Sequence, residues 1–421
     1  MSFKHSTQDD LSSRVASIVL AGGQGTRLFP LTQVRCKPSV SFGGRYRLID
    51  IPISNSLNSG IDQIYVISQF FSTALQQHII ETYPIDYKRK THIHLISPEE
   101  TPIRKEWFKG TADAIRQNLE HFERSEAQYF LILAGDQLYN IDFAAMLHYA
   151  EETQADLVIA ALPVQEKEAK RMGLLKIDPS NHVKEFIEKP SDPVTLKRFE
   201  LGPKRYLGSM GIYIFKRKAL FDLMKHEGDD FGKDLIPIQM KKAKTCAFLY
   251  DGYWEDIGTV SSFYEANLAL TKRQNCLNTY DEHHPIFNHP QHLPSPLIKK
   301  TAVHNSIISQ GAIIEAEEII GSVIGVRVHV KQGTVIHHSI ILGNLFYEPP
   351  QHQNPPLPDE LIIGEHCRIE KAIIDEHAHI GNHVHLLNKE GLQTYDGNGV
   401  YIREGIIIVT SGTKLPDGFV L

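Results

Sequence analysis

Residues 15–28 read VASIVLAGGQGTRL: an apolar run dominated by aliphatic side chains passes directly into a loop with glycines at 22, 23 and 25. Such a run predicts a buried strand. Glycines in the turn after it let the backbone come close to a ligand, with successive N–H groups free to face phosphate oxygens. The loop is neither GxxxxGK[ST] nor GxGxxG, because Leu28 stands where the third glycine of a dinucleotide fingerprint would be. Further strands are predicted at QIYVIS (63–68), YFLILAG (129–135), DLVIAAL (156–162), GIYIF (211–215) and TCAFLY (245–250). Between them FFSTALQQHIIE (70–81), TADAIRQNLEHFER (111–124) and FAAMLHYAEE (143–152) have helical periodicity, with Thr111 a candidate N-cap. Strand–helix alternation predicts an α/β domain with a mainly parallel sheet covered on both faces.

The pattern breaks at CLNTYDEHHPIFNHPQHLPSPLIKK (276–300), which carries four prolines and reads as a linker. Beyond it, aliphatics recur every six residues: Ile308, Ile314, Ile320; Ile324, Val330, Ile336, Leu342; and, after a Pro-rich insertion at 348–358, Ile363, Ile369, Ile374, Ile380, Leu386. Gly follows at 325, 343, 364 and 381. Hexads of one short strand plus one turn predict a parallel β-helix. The organisation is therefore a catalytic domain over 1–275, a linker over 276–300 and a β-helix over 301–421.

Across the 421 residues, 44 Lys plus Arg face 50 Asp plus Glu, a net charge of −6 that argues against nucleic acid as the partner. No apolar run approaches the roughly 20 residues that span a bilayer, so no membrane role is expected. The polar start MSFKHSTQDDLSSR is neither a signal nor a transit peptide, and the four scattered cysteines form no CxxC, which together predict a cytoplasmic protein. Of 22 histidines, 14 follow residue 280. In HAHIGNHVH, His377, His379, His383 and His385 read as solvated outward positions on the coils rather than as metal ligands.

Arg27 and Lys37 place two cations beside the glycine loop, where phosphates would lie. Asp136 ends the strand in LAGD, and ligands of open parallel sheets sit at the carboxyl ends of strands. A carboxylate among phosphates implies an intervening cation, and Asp256 in YWEDIGT is its natural companion on Mg²⁺. The bland alternatives are a helix cap for Asp136 and a turn residue for Asp256. Glu188 and Lys189 in EFIEKP could accept from sugar hydroxyls and hold a sugar phosphate.

GGQGTRL, RCKPSV, YRLIDIPISNSLNSG, WFKGTADA, LAGDQLY, EFIEKP, SMGIYIF, FGKDLIP and YWEDIGT occur in this order, and with the ending GVYIREGIIIV they resemble the ADP-glucose pyrophosphorylase family over nearly all of the chain. The resemblance implies a Rossmann-like nucleotide-diphospho-sugar transferase fold followed by a left-handed β-helix. It implies the reaction of ATP with α-glucose 1-phosphate to give ADP-glucose and pyrophosphate, Mg²⁺-dependent, in a homotetramer. By matching motif, Gly22, Gly23, Gly25, Thr26, Gln69 and Gly110 would contact the nucleotide, and Arg27, Lys37 and Asp136 would act on the phosphates. Glu188, Lys189, Ser209 and Asp234 would bind glucose 1-phosphate, and Asp136 and Asp256 the metal. UTP or dTTP as the nucleotide, and a non-catalytic regulatory subunit, are the competing readings; retention of both cations and both aspartates opposes the second.

The chain departs from the family at positions associated with activators. Val34, Glu376 and Thr410 stand where members responding to fructose 1,6-bisphosphate or 3-phosphoglycerate carry basic residues. Exchanging a cation for Glu376 reverses the sign of an anion contact, so weak or absent activation by both compounds is expected.

Overall fold

The computed structural model describes residues 13–83, 91–98, 107–348, 358 and 361–421. The N-terminal segment, apart from its last two residues, and most of the Pro-rich insertion lie outside them.

The glycine-loop strand, Val15–Ala21, sits between two parallel neighbours, Gln63–Ser68 and Tyr129–Ala134, with His92–Ile96 beyond the first. Their near-continuous apolar runs suit burial on both faces. On the far side of Tyr129–Ala134 the sheet changes character. Arg205–Lys216 runs antiparallel to it and also pairs antiparallel with Leu157–Gln165 and Gly173–Ile177. The expected mainly parallel sheet is thus a mixed, nine-stranded one. One long strand, broken in register between Ser209 and Tyr213, serves two neighbours at once.

Ser72–Thr82 and Phe143–Glu152 are helical much as their periodicity predicts. The 111–124 stretch is instead two helices, Thr111–Gln117 and Leu119–Glu123. Asn118 breaks it, turning its side-chain amide onto the Ala114 carbonyl at 2.7 Å. Nor does Thr111 cap the first of them. Gly110 holds that position, and the Thr111 hydroxyl accepts from the Phe231 N–H at 3.2 Å.

The C-terminal part is three parallel sheets wrapped into a β-helix, whose first strand, Leu297–Ile298, falls inside the 276–300 segment. Stacked partners such as Ile319 and Ile336, or Ile369 and Leu386, are 17 residues apart. A coil is therefore two steps of six and one of five, which corrects the uniform hexads. Ile319 and Ile341 point into the core where the six-residue rule placed Ile320 and Leu342. Gly325 and Gly364 stand where the backbone of the next coil comes too close for a Cβ.

Many histidines occupy the coil corners. His338, His366, His377 and His383 all have left-handed φ between 45° and 62°, a region in which His is enriched over most residues. His377 and His379 therefore do not share a strand face. His377 is buried, its ring stacked on Phe346 at 4.7 Å, contrary to its reading as solvated. His383 is exposed as expected, while His379 and His385 are half-buried.

One face of the β-helix shares a core with the α/β domain. Val323, Ile340, Leu342, Ile373 and Ile408 pack in one cluster with Phe42, Tyr46, Phe263 and Leu270. The Val326 N–H donates to the Gly44 carbonyl at 3.1 Å. The connecting segment is fastened down as well, with Leu277 and Ile286 buried and the Phe287 N–H on Ser54 Oγ at 2.9 Å. The 17-residue coil makes a direct prediction. Ile319→Ala, which opens a cavity in the coil core, should cost about 2–5 kcal/mol in chemical denaturation. Ile320→Ala should cost within about 1 kcal/mol; equal losses would restore the hexad register.

Candidate active site

Register places the loop ends together. Ala21 is level with Ser68, and Leu20 with Ala134, so Gly22, Gln69 and Asp136 all emerge at the carboxyl edge of the parallel strands. A short antiparallel pair, Gln137–Tyr139 with Trp254–Asp256, sets Asp256 opposite Gln137 and so beside Asp136. Together they border a cleft of ≈ 620 Å³.

Gly25 has φ 64°, and a Cβ there would also press on Lys37 Cβ and Thr32 Cγ2 at 3.0 Å. This turn therefore needs glycine on two counts. It launches the short 3₁₀ helix Thr26–Leu28, which holds Arg27 in the open, and the second 3₁₀ turn, Lys37–Ser39, carries Lys37. Lys37 is buried, with its ammonium 2.6 Å from Asp136 Oδ2 and 3.8 Å from Asp256 Oδ1. Burial, ahead of the neighbouring Asp136, pushes the Asp256 carboxyl up, while Lys37 draws it down. Two partly open carboxylates with one ammonium within 4.0 Å leave room for more positive charge. Hard oxygen donors in that number fit a Mg²⁺ that arrives with phosphates and keeps several waters. The described residues hold no cluster of three or more metal-ligating side chains, the histidine-rich coils included.

Glu188 and Lys189 face the cleft opposite the glycine loop, 3.1 Å from each other. Burial raises the Glu188 carboxyl and Lys189 lowers it. A Cβ on Gly173 or Gly232 would collide with Glu188 Oε2, so these two glycines make the slot in which the carboxylate lies. Ser209 sits at the register break and accepts the Gly211 N–H at 3.2 Å, which leaves its own proton to donate. Tyr213, its phenol raised by burial, lines the same wall.

Of the residues singled out in the sequence, Gly22, Gly23, Arg27, Lys37, Gln69, Gly110, Asp136, Glu188, Lys189, Ser209 and Asp256 all border this cleft. Gly25 and Thr26 line an adjoining ≈ 290 Å³ pocket that shares Arg27, Lys37 and Asp136 with it. Gln69 is already engaged, accepting the Phe108 N–H at 2.6 Å and so tethering the 107–110 segment. Asp234 is placed differently from its expected role. Its carboxylate accepts the N–H groups of Asp229 and Asp230 at 2.9 and 3.0 Å, and those bonds lower its pKa. It shapes the turn whose Asp230, Phe231 and Gly232 line the cleft.

Sequence reasoning missed Arg171, which enters the cleft from the loop after a short helix. Its Nη2, Asp256 Oδ2 and Arg27 Nη1 all lie within 4 Å of the point where a Gly258 Cβ would be. Nothing in EAKRMGLL marks it. The stacked pair Phe70 and Trp107, 5.1 Å apart, also lines the cleft and was likewise unannounced.

With this geometry in view, the comparisons with known proteins have a clear meaning. Residues 16–273 match the family model described as nucleotidyl transferase, and residues 291–420 match the GLGC left-handed parallel beta-helix domain. The first match covers more than half of the chain, which therefore belongs to the nucleotidyl transferase family. The pairing of the two domains is the architecture of ADP-glucose pyrophosphorylases, an architecture of enzymes that join a nucleotide to a sugar phosphate. No described helix is long and apolar enough to cross a membrane.

Glu255, next to the metal-type carboxylates, is pushed up to about 7, first by burial and then by the Asp256 charge. Its native pKa lies above its ordinary 4.5, so the folded protein holds this proton more tightly than the unfolded chain. Stability from this residue should fall as pH rises from 4.5 to about 7 and level off above. Glu255→Gln should flatten that part of a stability–pH profile measured by urea denaturation. An unchanged slope would show that Glu255 titrates normally.

Proposed function

We propose that this protein transfers the adenylyl group of ATP to α-D-glucose 1-phosphate, releasing pyrophosphate and making ADP-glucose for α-glucan synthesis. The observation that carries this reading is the convergence of Arg27 and Lys37 with Asp136 and Asp256 on one cleft, whose other wall holds Glu188, Lys189 and Ser209. The two-domain architecture of ADP-glucose pyrophosphorylases supports the choice of sugar and base.

In this mechanism an oxygen of the sugar phosphate attacks the α-phosphorus in line. The bond from the α-phosphorus to the bridging oxygen breaks, and that oxygen leaves with the pyrophosphate. The attacking oxygen is already ionised, so the cleft needs no strong general base; it needs placement and opposite charge. Lys189 and Ser209 would hold the sugar phosphate, and Glu188 would accept from sugar hydroxyls. Gly22, Gly23, Gly25 and Thr26 would present N–H groups to the triphosphate while Arg27 and Lys37 offset its charge. Asp136 and Asp256 would hold Mg²⁺, which supplies Lewis-acid stabilisation of the phosphoryl oxygens when bound. Lys37 then has phosphates to turn toward as the carboxylates take up the metal.

The test is pyrophosphate release from ATP, UTP, dTTP and GTP, each with glucose 1-phosphate and Mg²⁺. ATP should be the preferred substrate; preference for UTP or dTTP would overturn the choice of base but not the class of enzyme. Asp136→Ala should keep the fold and lose about 10²–10³ in kcat, the scale of removing a stabiliser of transition-state charge.

A further inference from the structure

The segment bearing both phosphate-facing cations is attached to the β-helix, not only to the domain that contains the cleft. Arg35, two residues before Lys37, is buried and reaches across to a coil corner, with Nη1 2.7 Å from Asp375 Oδ1 and Nη2 3.4 Å from Glu376 Oε2. Glu376 also receives the Ser41 hydroxyl and lies 4.0 Å from Arg47 Nη2. Arg47 in turn donates to the Ser39 carbonyl. The turn Lys37–Ser39 is thus bracketed by side chains that converge on two β-helix carboxylates. A second attachment lies next to Arg27. Phe29 meets the edge of Tyr401 at 5.4 Å, and the Arg403 guanidinium lies 5.7 Å from the Phe29 ring centroid.

Burying a guanidinium and two carboxylates costs several kcal/mol per ion unless partners and geometry offset it. Here the two arginines and two carboxylates balance, and Arg35 and Arg47 hold the Glu376 carboxyl well below the usual range against the opposing effect of burial. A planar fork spanning two acceptors fixes direction as well as distance.

We propose that Arg35 is a positioning residue, through which Asp375 and Glu376 of the β-helix set the place of the Lys37 ammonium in the cleft. The proposal rests on the reading that Lys37 acts on the phosphates. It gives the β-helix a direct part in catalysis within one chain: the coil corner is a fixed abutment, and the loop from 35 to 41 transmits its position to Lys37.

Arg35→Lys tests this, because it keeps the buried charge but cannot span both carboxylates. Full-length Arg35→Lys, Lys37→Ala and the double variant would be compared in steady-state assays, with thermal melting to confirm the fold. Arg35→Lys should lose about 10- to 100-fold in kcat, the scale of a small misplacement of a catalytic group. Its KM for the sugar phosphate should stay within about twofold, since uniform binding is untouched. The double variant should be no slower than Lys37→Ala, because a residue acting through Lys37 has nothing left to position. Full turnover in Arg35→Lys, or losses that multiply in the double variant, would overturn the proposal. Full turnover in Lys37→Ala would show instead that the phosphate role of Lys37 fails, and the positioning role with it. If Arg35→Lys melts early, Arg35→Met with Asp375→Leu and Glu376→Leu replaces the whole cluster by apolar groups, a change that often restores stability. Recovery of the melting temperature with kcat still depressed is the expected result; recovery of both would make the cluster purely structural.

Discussion

One ammonium between two carboxylates governs the cleft. Lys37 lies nearly in contact with Asp136 and close to Asp256, and each group is costly without the others. Buried, the lysine would lose its proton; the aspartates, side by side, would resist sharing their charge. Together they form a site that is balanced for one ammonium and unbalanced toward additional cations. That imbalance suits a polyphosphate and its metal, which bring negative and positive charge in one package. The surrounding structure can be understood as what is needed to bring these three side chains from strand end, hairpin and loop to one point.

The strands supply the first requirement. Val15–Ala21 and Tyr129–Ala134 are hydrogen-bonded in register, so the glycine loop and Asp136 cannot drift apart without breaking the sheet. The hairpin pairing of Asp256 with Gln137 adds the second carboxylate at a fixed offset. Lys37 is different, since it comes from an irregular segment. Its rigidity has to be imported, from a 3₁₀ turn with a proline and from the coil corner of the β-helix that holds Arg35. Aliphatic packing between Ile373 and Ile408 on the coils and Phe42 and Tyr46 under the loop keeps that corner in place.

The β-helix also accounts for the histidines. Each coil must turn three times, and the corners take left-handed backbone that most side chains avoid. Glycine and asparagine fill some of these corners, and His338, His366, His377 and His383 fill others. The surplus follows mainly from backbone geometry, with His377 drawn into the interior because the corner it occupies faces the Arg35 cluster.

Much of the site was legible in the sequence because it is local. A strand running into GGQGTRL, a strand ending in LAGD and the pair Glu188–Lys189 each place a functional group relative to an element that the sequence itself announces. Aliphatic recurrence likewise disclosed a β-helix, since one inward column must be filled at every coil. What the sequence could not decide was everything requiring two distant segments at once. Whether the coil was 17 or 18 residues depended on stacking between coils. Asp234 looked like a ligand contact until its carboxylate was seen closing its own turn, and Arg171 carried no local mark at all. Glu376 read as a changed charge at the surface, yet it is a buried partner of Arg35, more than 300 residues away in the chain. Periodicity and glycine placement are written residue by residue, because they follow from backbone geometry. Charge pairing and burial belong to the folded chain, because only packing decides which side chains leave water together.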